Sequence, residues 1–165
     1  MIPVTIDTLV VGVPPSPSVI ILRPLGEKDS ASHVLPIWIG PTEAASIGMA
    51  LEGAHGQRPM THDLLASFLD AADTTLDYVI INDVEGTTFF ATVVLDQAGE
   101  CKNIDARPSD SIALAVREKS PIYVEEKVMD LASFPAAMNP AGTNAIEVEE
   151  FHNFIEKVNP EDFKV

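Results

Sequence analysis

Two short stretches hold the residues best able to handle a charged ligand. In Ile104-Asp105-Ala106-Arg107-Pro108-Ser109-Asp110-Ser111 an apolar strand end runs through Arg-Pro into a segment that is apolar at Ile112, Ala115 and Val116. Proline rules out helix for the residue before it. The order therefore reads as strand, tight turn and helix start, with Ser109 or Arg107 at the cap and Asp110 in the first turn. Arg58-Pro59-Met60-Thr61-His62-Asp63-Leu64-Leu65 is a loose echo, leading from Arg-Pro through a hydroxyl residue and an acid into a second helix. A helix N-terminus carries unpaired N–H groups and about half a positive charge, so anions gather there. An arginine beside it adds positive to positive and needs a negative partner. The chain has four arginines, and two stand in these positions. Their partner is either internal, with Asp63 and Asp110 neutralising Arg58 and Arg107 directly or crosswise, or an external phosphate or carboxylate.

The elements that must position these stretches follow in order. Loose alternation through Val4, Ile6, Leu9 and Val11 predicts a strand over residues 2–13, closed by Pro14-Pro15-Ser16-Pro17. Val19-Ile20-Ile21-Leu22 predicts a second strand of buried character. Val34 to Ile39 is a third, and its Pro36 points to an edge or a strand start, because proline cannot donate to a ladder. Gly40-Pro41 opens a helix with Glu43 in its first turn and Ala44, Ile47, Gly48 and Leu51 at helical spacing. The helix starting near Thr61 carries Leu64, Leu65, Phe68, Leu69 and Ala72 on one apolar face. Tyr78–Ile81, Thr88–Leu95 and Cys101–Asp105 read as three antiparallel strands joined by turns at Asp83–Gly86 and Asp96–Gly99. After the helix that follows Arg107, Pro121–Val124 is another strand and Glu125–Leu131 a short helix. Residues 1–131 thus read as a core domain and 132–146 as a mobile loop. Residues 147–165 read as an amphipathic helix, with Phe151, Phe154 and Ile155 on its apolar face, and a tail.

Composition narrows the partners. At 165 residues and 46% hydrophobic, the chain is long enough for one domain with its own core. The single cysteine, Cys101, excludes an internal disulfide framework and any cysteine-based zinc cluster, and it fits a reducing cytoplasm. No secretory signal is read, since no Lys or Arg precedes Arg23 and Asp7 interrupts the first apolar run. No apolar run is long enough to span a bilayer, so no membrane partner is expected. The formal net charge of −15 repels nucleic acid at long range, because binding a polyanion relies on Lys and Arg displacing counterions. A nucleic-acid role therefore needs a local exception, such as a metal-filled acidic site or a small basic groove.

The motifs in their order resemble the bifunctional nuclease domain family. They are Leu35-Pro36-Ile37-Trp38-Ile39-Gly40, Glu43-Ala44-Ala45-Ser46-Ile47, the two Arg-Pro stretches quoted above, and Pro121-Ile122-Tyr123-Val124. The ending Asn159-Pro160-Glu161-Asp162-Phe163 is similar to the tail of bacterial members. The resemblance implies an α+β fold with a mixed, largely antiparallel sheet and packed helices in a single compact domain, assembled as a homodimer. It also implies DNase and RNase activity, attributed to some members. Phe90 stands where the family often has Tyr.

Metal-assisted phosphodiester hydrolysis needs two or more carboxylates, sometimes with a histidine, converging on Mg²⁺ or Mn²⁺. Under the resemblance, Asp63, Asp105, Asp110 and His62 are candidates for catalysis, and Glu43, Asp63 and Asp110 for holding the metal. Asp83 lies at a further element end. Arg58 and Arg107 would clamp the phosphate bidentately, with Thr61 and Ser109 beside them. Each has a plainer explanation. First-turn acids suit the helix dipole, Asp83 suits a turn, and Ser109 and Ser111 suit caps better than nucleophilic attack. Cys101 has no adjacent base, and Trp38 and the phenylalanines fall at core spacings instead of forming a stacking platform. Two readings stand: a divalent-cation nuclease, or a non-catalytic homodimeric module whose Arg–Asp pairs are structural or bind a small anion.

Overall fold

The computed structural model describes residues 1–12, 17–26, 33–54 and 56–136. Strands β1 (Ile2–Val10), β2 (Ser18–Pro24) and β3 (His33–Ile39) lead into helices α1 (Pro41–Leu51) and α2 (Thr61–Ala71). The meander β4 (Thr75–Glu85), β5 (Thr88–Gln97) and β6 (Glu100–Ala106) feeds α3 (Pro108–Glu118). Strand β7 (Ile122–Val124), helix α4 (Glu126–Ala132) and the two-residue β8 (Phe134–Pro135) follow. All strands join one eight-stranded sheet in the order β6-β5-β4-β7-β1-β2-β3-β8. The β4–β7 pairing is parallel and the others are antiparallel, so the α+β class and the mixed, mostly antiparallel sheet are as expected. No helix among the described residues is long and apolar enough to cross a membrane.

Alternation of side chains explains where the core sits. Along β2, Ile20 and Leu22 enter the main core, while Val19 and Ile21 join a smaller cluster with Val34, closed by Phe134 and Ala136. The β5–β6 turn places Ala98 and Gly99 at φ 54° and 83°, the paired left-handed geometry of a tight hairpin, and Asp96 accepts the Gly99 N–H at 2.8 Å. Helix α3 is the central one: Ile112, Ala113, Leu114 and Ala115 are all buried, and it packs on α1, α2, β4 and β5. It ends at Lys119, which adopts a left-handed φ of 56°. In α1, Gly48 lies close enough to β1 that an added Cβ would meet Leu9 at 3.4 Å.

Several expectations change. The α2 stripe is not buried: Leu64, Leu65 and Phe68 are 51%, 40% and 62% exposed. The helix is instead turned so that His62, Ala66 and Leu69 face inward, because polar partners hold His62 on that side. Trp38 is exposed as well, not a core residue. Pro36 pairs with Ile21 in mid-strand, and β8 flanks only His33 and Val34, so at Pro36 the outer side of β3 is an open edge among the described residues. Phe134 and Pro135, the first part of the stretch expected to be loop, form β8 instead. Residues 137–146 of that loop and the expected C-terminal helix lie outside the described residues.

Candidate functional site

Helices α1, α2 and α3 begin by one local logic. Gly40, Met60 and Arg107 stand at their N-caps in extended conformation, and each first turn carries an acid: Glu43, Asp63 and Asp110. The helix dipole favours acids there. Asp63 also accepts the Met60 N–H at 2.7 Å, satisfying a donor that the helix itself leaves unpaired. Because α3 packs against both α1 and α2, the three N-termini meet around one recess of about 140 Å³. Its walls are Thr42, Glu43 and Ser46 from α1, Met60, Thr61 and His62 at the start of α2, and Arg107 and Asp110 at the start of α3. The volume suits one phosphate or carboxylate group with a few waters, since a water takes up roughly 30 Å³. A whole drug-sized ligand needs several hundred.

A continuous chain of polar contacts runs from the interior to the mouth of this recess. Arg117, on the last turn of α3, donates from Nε to Asp63 Oδ1 at 2.6 Å and from Nη1 to the Ala113 carbonyl at 2.9 Å. Its Nη2 donates to the Ser46 carbonyl and hydroxyl at 3.3 and 3.1 Å. Ser46 Oγ lies 2.9 Å from His62 Nδ1, and His62 Nε2 lies 3.1 Å from Asp110 Oδ1. Arg107 then grips Asp110 with two bonds, Nε to Oδ2 at 2.7 Å and Nη2 to Oδ1 at 3.0 Å, and reaches Glu43 Oε1 at 3.1 Å. Burial works to raise the Asp110 pKa, but hydrogen bonds from Arg107 and His62 and the Arg107 charge outweigh it, leaving the carboxyl below its usual range. Arg107 is correspondingly raised, first by its Asp110 hydrogen bond. At α1 a glycine cap matters: a Cβ on Gly40 would collide with the Glu43 carboxylate, which folds back over the helix start.

Ser46, His62 and Asp110 do not make a hydrolase triad. In such triads the serine sits on Nε2 and the acid on Nδ1, with the serine open to substrate. Here the order is inverted, and Ser46 is 1% exposed.

A sequence profile described as the bifunctional nuclease domain matches residues 24–137. The chain belongs to this family. A protein named as uncharacterized from Mycobacterium tuberculosis (strain H37Rv) is 38% identical over 156 residues, covering 92% of this chain and 91% of its own length. Bifunctional nuclease 1 of Arabidopsis thaliana is 27% identical over 68% of this chain, and bifunctional nuclease 2 of Oryza sativa subsp. japonica is 27% identical over 69%. This chain covers only 34% and 35% of those two plant proteins.

Of the residues singled out from sequence, Glu43, Thr61, His62, Arg107 and Asp110 share the recess. Asp63 is directed to Arg117, not to Arg58, so the crosswise and direct pairings foreseen for it both give way to a third. Arg58 is exposed in the loop before α2 and does not line the recess. Asp105 is exposed on the edge strand β6 opposite Thr92, and Ser109 is buried and does not line the recess. Asp83 pairs with Lys127 at 2.9 Å on another part of the molecule. Of the three acids expected to hold a metal, Glu43 and Asp110 meet in the recess, while Asp63 is drawn to Arg117. Among the described residues no group of three or more His, Cys, Asp or Glu is arranged to hold an ion, and the Arg107 guanidinium bridges Glu43 and Asp110. This donor set does not fit a resident divalent cation. Sequence reasoning missed Ser46 and Arg117. Ser46 lies one helical turn beyond Glu43, spacing that puts the two on one face of α1.

Proposed function

We propose that the recess binds a phosphate of a nucleic-acid strand and that the chain hydrolyses the phosphodiester bond there. The observation that carries this reading is the condition of Arg107. Its side chain is 66% exposed at the mouth, held in plane by Asp110 and Glu43 through Nε and Nη2, while Nη1 is unengaged among the described residues. A guanidinium has five donors, so an anchored one with a free nitrogen suits an incoming phosphate oxygen. Three helix starts add partial positive charge at the same place, which answers locally the repulsion of a chain at −15. Membership of a family whose plant relatives carry the name bifunctional nuclease supports the reaction class.

In this reading Glu43, held through one oxygen, takes the proton from an attacking water. The water oxygen bonds to phosphorus as the ester P–O bond breaks, the leaving ester oxygen takes a proton from solvent, and Arg107 meets the charge that develops on the phosphoryl oxygens. No step is assigned to a divalent cation, because the guanidinium fills the space between the two carboxylates. A second reading, an anion-binding module without catalysis, is favoured by the pairing of Arg107 with both Asp110 and Glu43, as a structural ion pair would be. Cleavage assays on single- and double-stranded DNA and RNA, in Mg²⁺, Mn²⁺ and EDTA, separate the two. We expect cleavage by the wild-type chain that falls by about a hundredfold or more in Arg107→Ala. Anion binding without cleavage would give the site to the second reading. Cleavage undiminished in Arg107→Ala would overturn the role given to that residue.

The same chain is inferred to form a homodimer through the outward face of α2. Large exposed apolar side chains grouped on one helix face, here Leu64, Leu65 and Phe68, are more often an interface than bare surface. Sedimentation of wild type against Phe68→Glu tests this: a dimer in the first and a folded monomer in the second are expected, and a monomeric wild type contradicts it.

A further inference from the structure

Resting on the phosphate-binding reading of the recess, we infer that Ser46 and Arg117 are positioning residues that hold the His62 ring through Nδ1, with its proton on Nε2, and thereby align Asp110 and Arg107 for the anion. Arg117 Nη2 can only donate, and it donates to Ser46 Oγ, 3.1 Å away. At the other end of the ring, the Asp110 carboxylate already accepts from Arg107 on both oxygens and can only accept from His62 Nε2, 3.1 Å from its Oδ1. A single ring proton therefore sits on Nε2, and the bare Nδ1 accepts the Ser46 hydroxyl hydrogen at 2.9 Å. The donors thus run in one direction, from Arg117 through Ser46 and His62, and end on Asp110. Arg107 grips the same carboxylate from the other side.

This polarity has a consequence for the recess. Asp110 receives donors on both oxygens, so it is held in one orientation and can hold the Arg107 guanidinium with its Nη1 edge outward. Turning the ring or moving its proton to Nδ1 would leave the buried Ser46 hydroxyl without this acceptor and free one Asp110 oxygen to rotate. In this arrangement His62 is a hydrogen-bond donor that orients a carboxylate, not a free base. Ser46 is too deeply buried to touch a ligand, so its influence must pass through the ring.

The experiment is nitrogen-detected NMR of the histidine rings in the full chain at neutral pH. The His62 signal is assigned by its loss in His62→Asn, and inorganic phosphate serves as the binding probe. Wild type is expected to show Nε2 protonated and Nδ1 bare. Ser46→Ala is expected to shift the bare Nδ1 signal as its hydrogen-bond donor is lost, with phosphate affinity lower by roughly threefold to tenfold, the effect of about one hydrogen bond. Ser46→Thr, which keeps the hydroxyl, is expected to restore the wild-type Nδ1 signal. A wild-type ring protonated at Nδ1, or at both nitrogens, overturns the inference without any variant being needed. An unmoved Nδ1 signal in Ser46→Ala, or a moved one with unchanged phosphate affinity, overturns the positioning role. If wild type binds no phosphate, the recess reading fails instead, and the wild-type ring signal still decides the tautomer.

Discussion

The two arginines of α3 stand at opposite ends of one helix and have opposite fates. Arg117, in the last turn, is 11% exposed, and every nitrogen of its guanidinium donates within the protein. Arg107, at the N-cap, is 66% exposed and keeps one nitrogen unengaged among the described residues. Both face carboxylates at closely similar distances, so the ion pair itself does not distinguish them. Burial and donor capacity do. A charge taken out of water must be fully paired, whereas an exposed one can keep donors for a visitor. Arg117 therefore reads as structure and Arg107 as function, and Ser46 and His62 connect one to the other.

Arg117→Ala takes one partner each from Asp63 and Ser46 at a largely buried site, and we expect a loss of about 3 kcal/mol in urea unfolding. Arg107→Ala should cost less than about 1 kcal/mol, as solvent-screened pairs do. Equal costs would erase the distinction. The next effect is acid sensitivity. The Asp110 carboxyl is lowered in the folded chain, so its contribution is present above the ordinary aspartate range and is lost as pH falls through the folded value. Asp110→Asn should flatten the acid limb of stability against pH, and an unchanged limb would contradict the pairing. Glu118, beside Arg117, is shifted the other way: burial raises it, and Asp70 adds to the rise. Its ionisation therefore weakens the fold as pH climbs through the carboxylate range, and Glu118→Gln should raise neutral-pH stability by a few tenths of a kcal/mol, within the usual span for such sites. A decrease would show that this end of α3 is less buried than described. The smallest effect is expected from Gly40→Ala, which pushes the Glu43 carboxylate aside. Thermal stability should barely move, while phosphate binding weakens slightly as Arg107 loses one of the two acids that hold it.

Local chemistry made much of this legible in the sequence. Arg107-Pro108 did mark the start of α3, and Gly40-Pro41 that of α1, because proline restricts its predecessor and suits the first helical turn. The meander was readable from its turn residues. What could not be read was rotation. Hydrophobicity pointed Leu64, Leu65 and Phe68 inward, yet α2 turns His62 to the core because Ser46 and Asp110, 16 and 48 residues away in the chain, hold its two nitrogens. The partner of Asp63 was hidden for the same reason: Arg117 lies 54 residues on, in the last turn of another helix. Long-range polar pairing leaves no local spacing to detect. That is why the two Arg-Pro stretches looked equivalent, although only Arg107 reaches the recess.

The most direct measurement is a titration of the isotope-labelled chain with inorganic phosphate, followed through its backbone amides. The account predicts saturable shifts confined to the starts of α1, α2 and α3, around Thr42, Thr61 and Asp110, and their loss in Arg107→Ala while the spectrum remains that of a folded protein. Shifts scattered over the surface, or shifts that persist without Arg107, would contradict it.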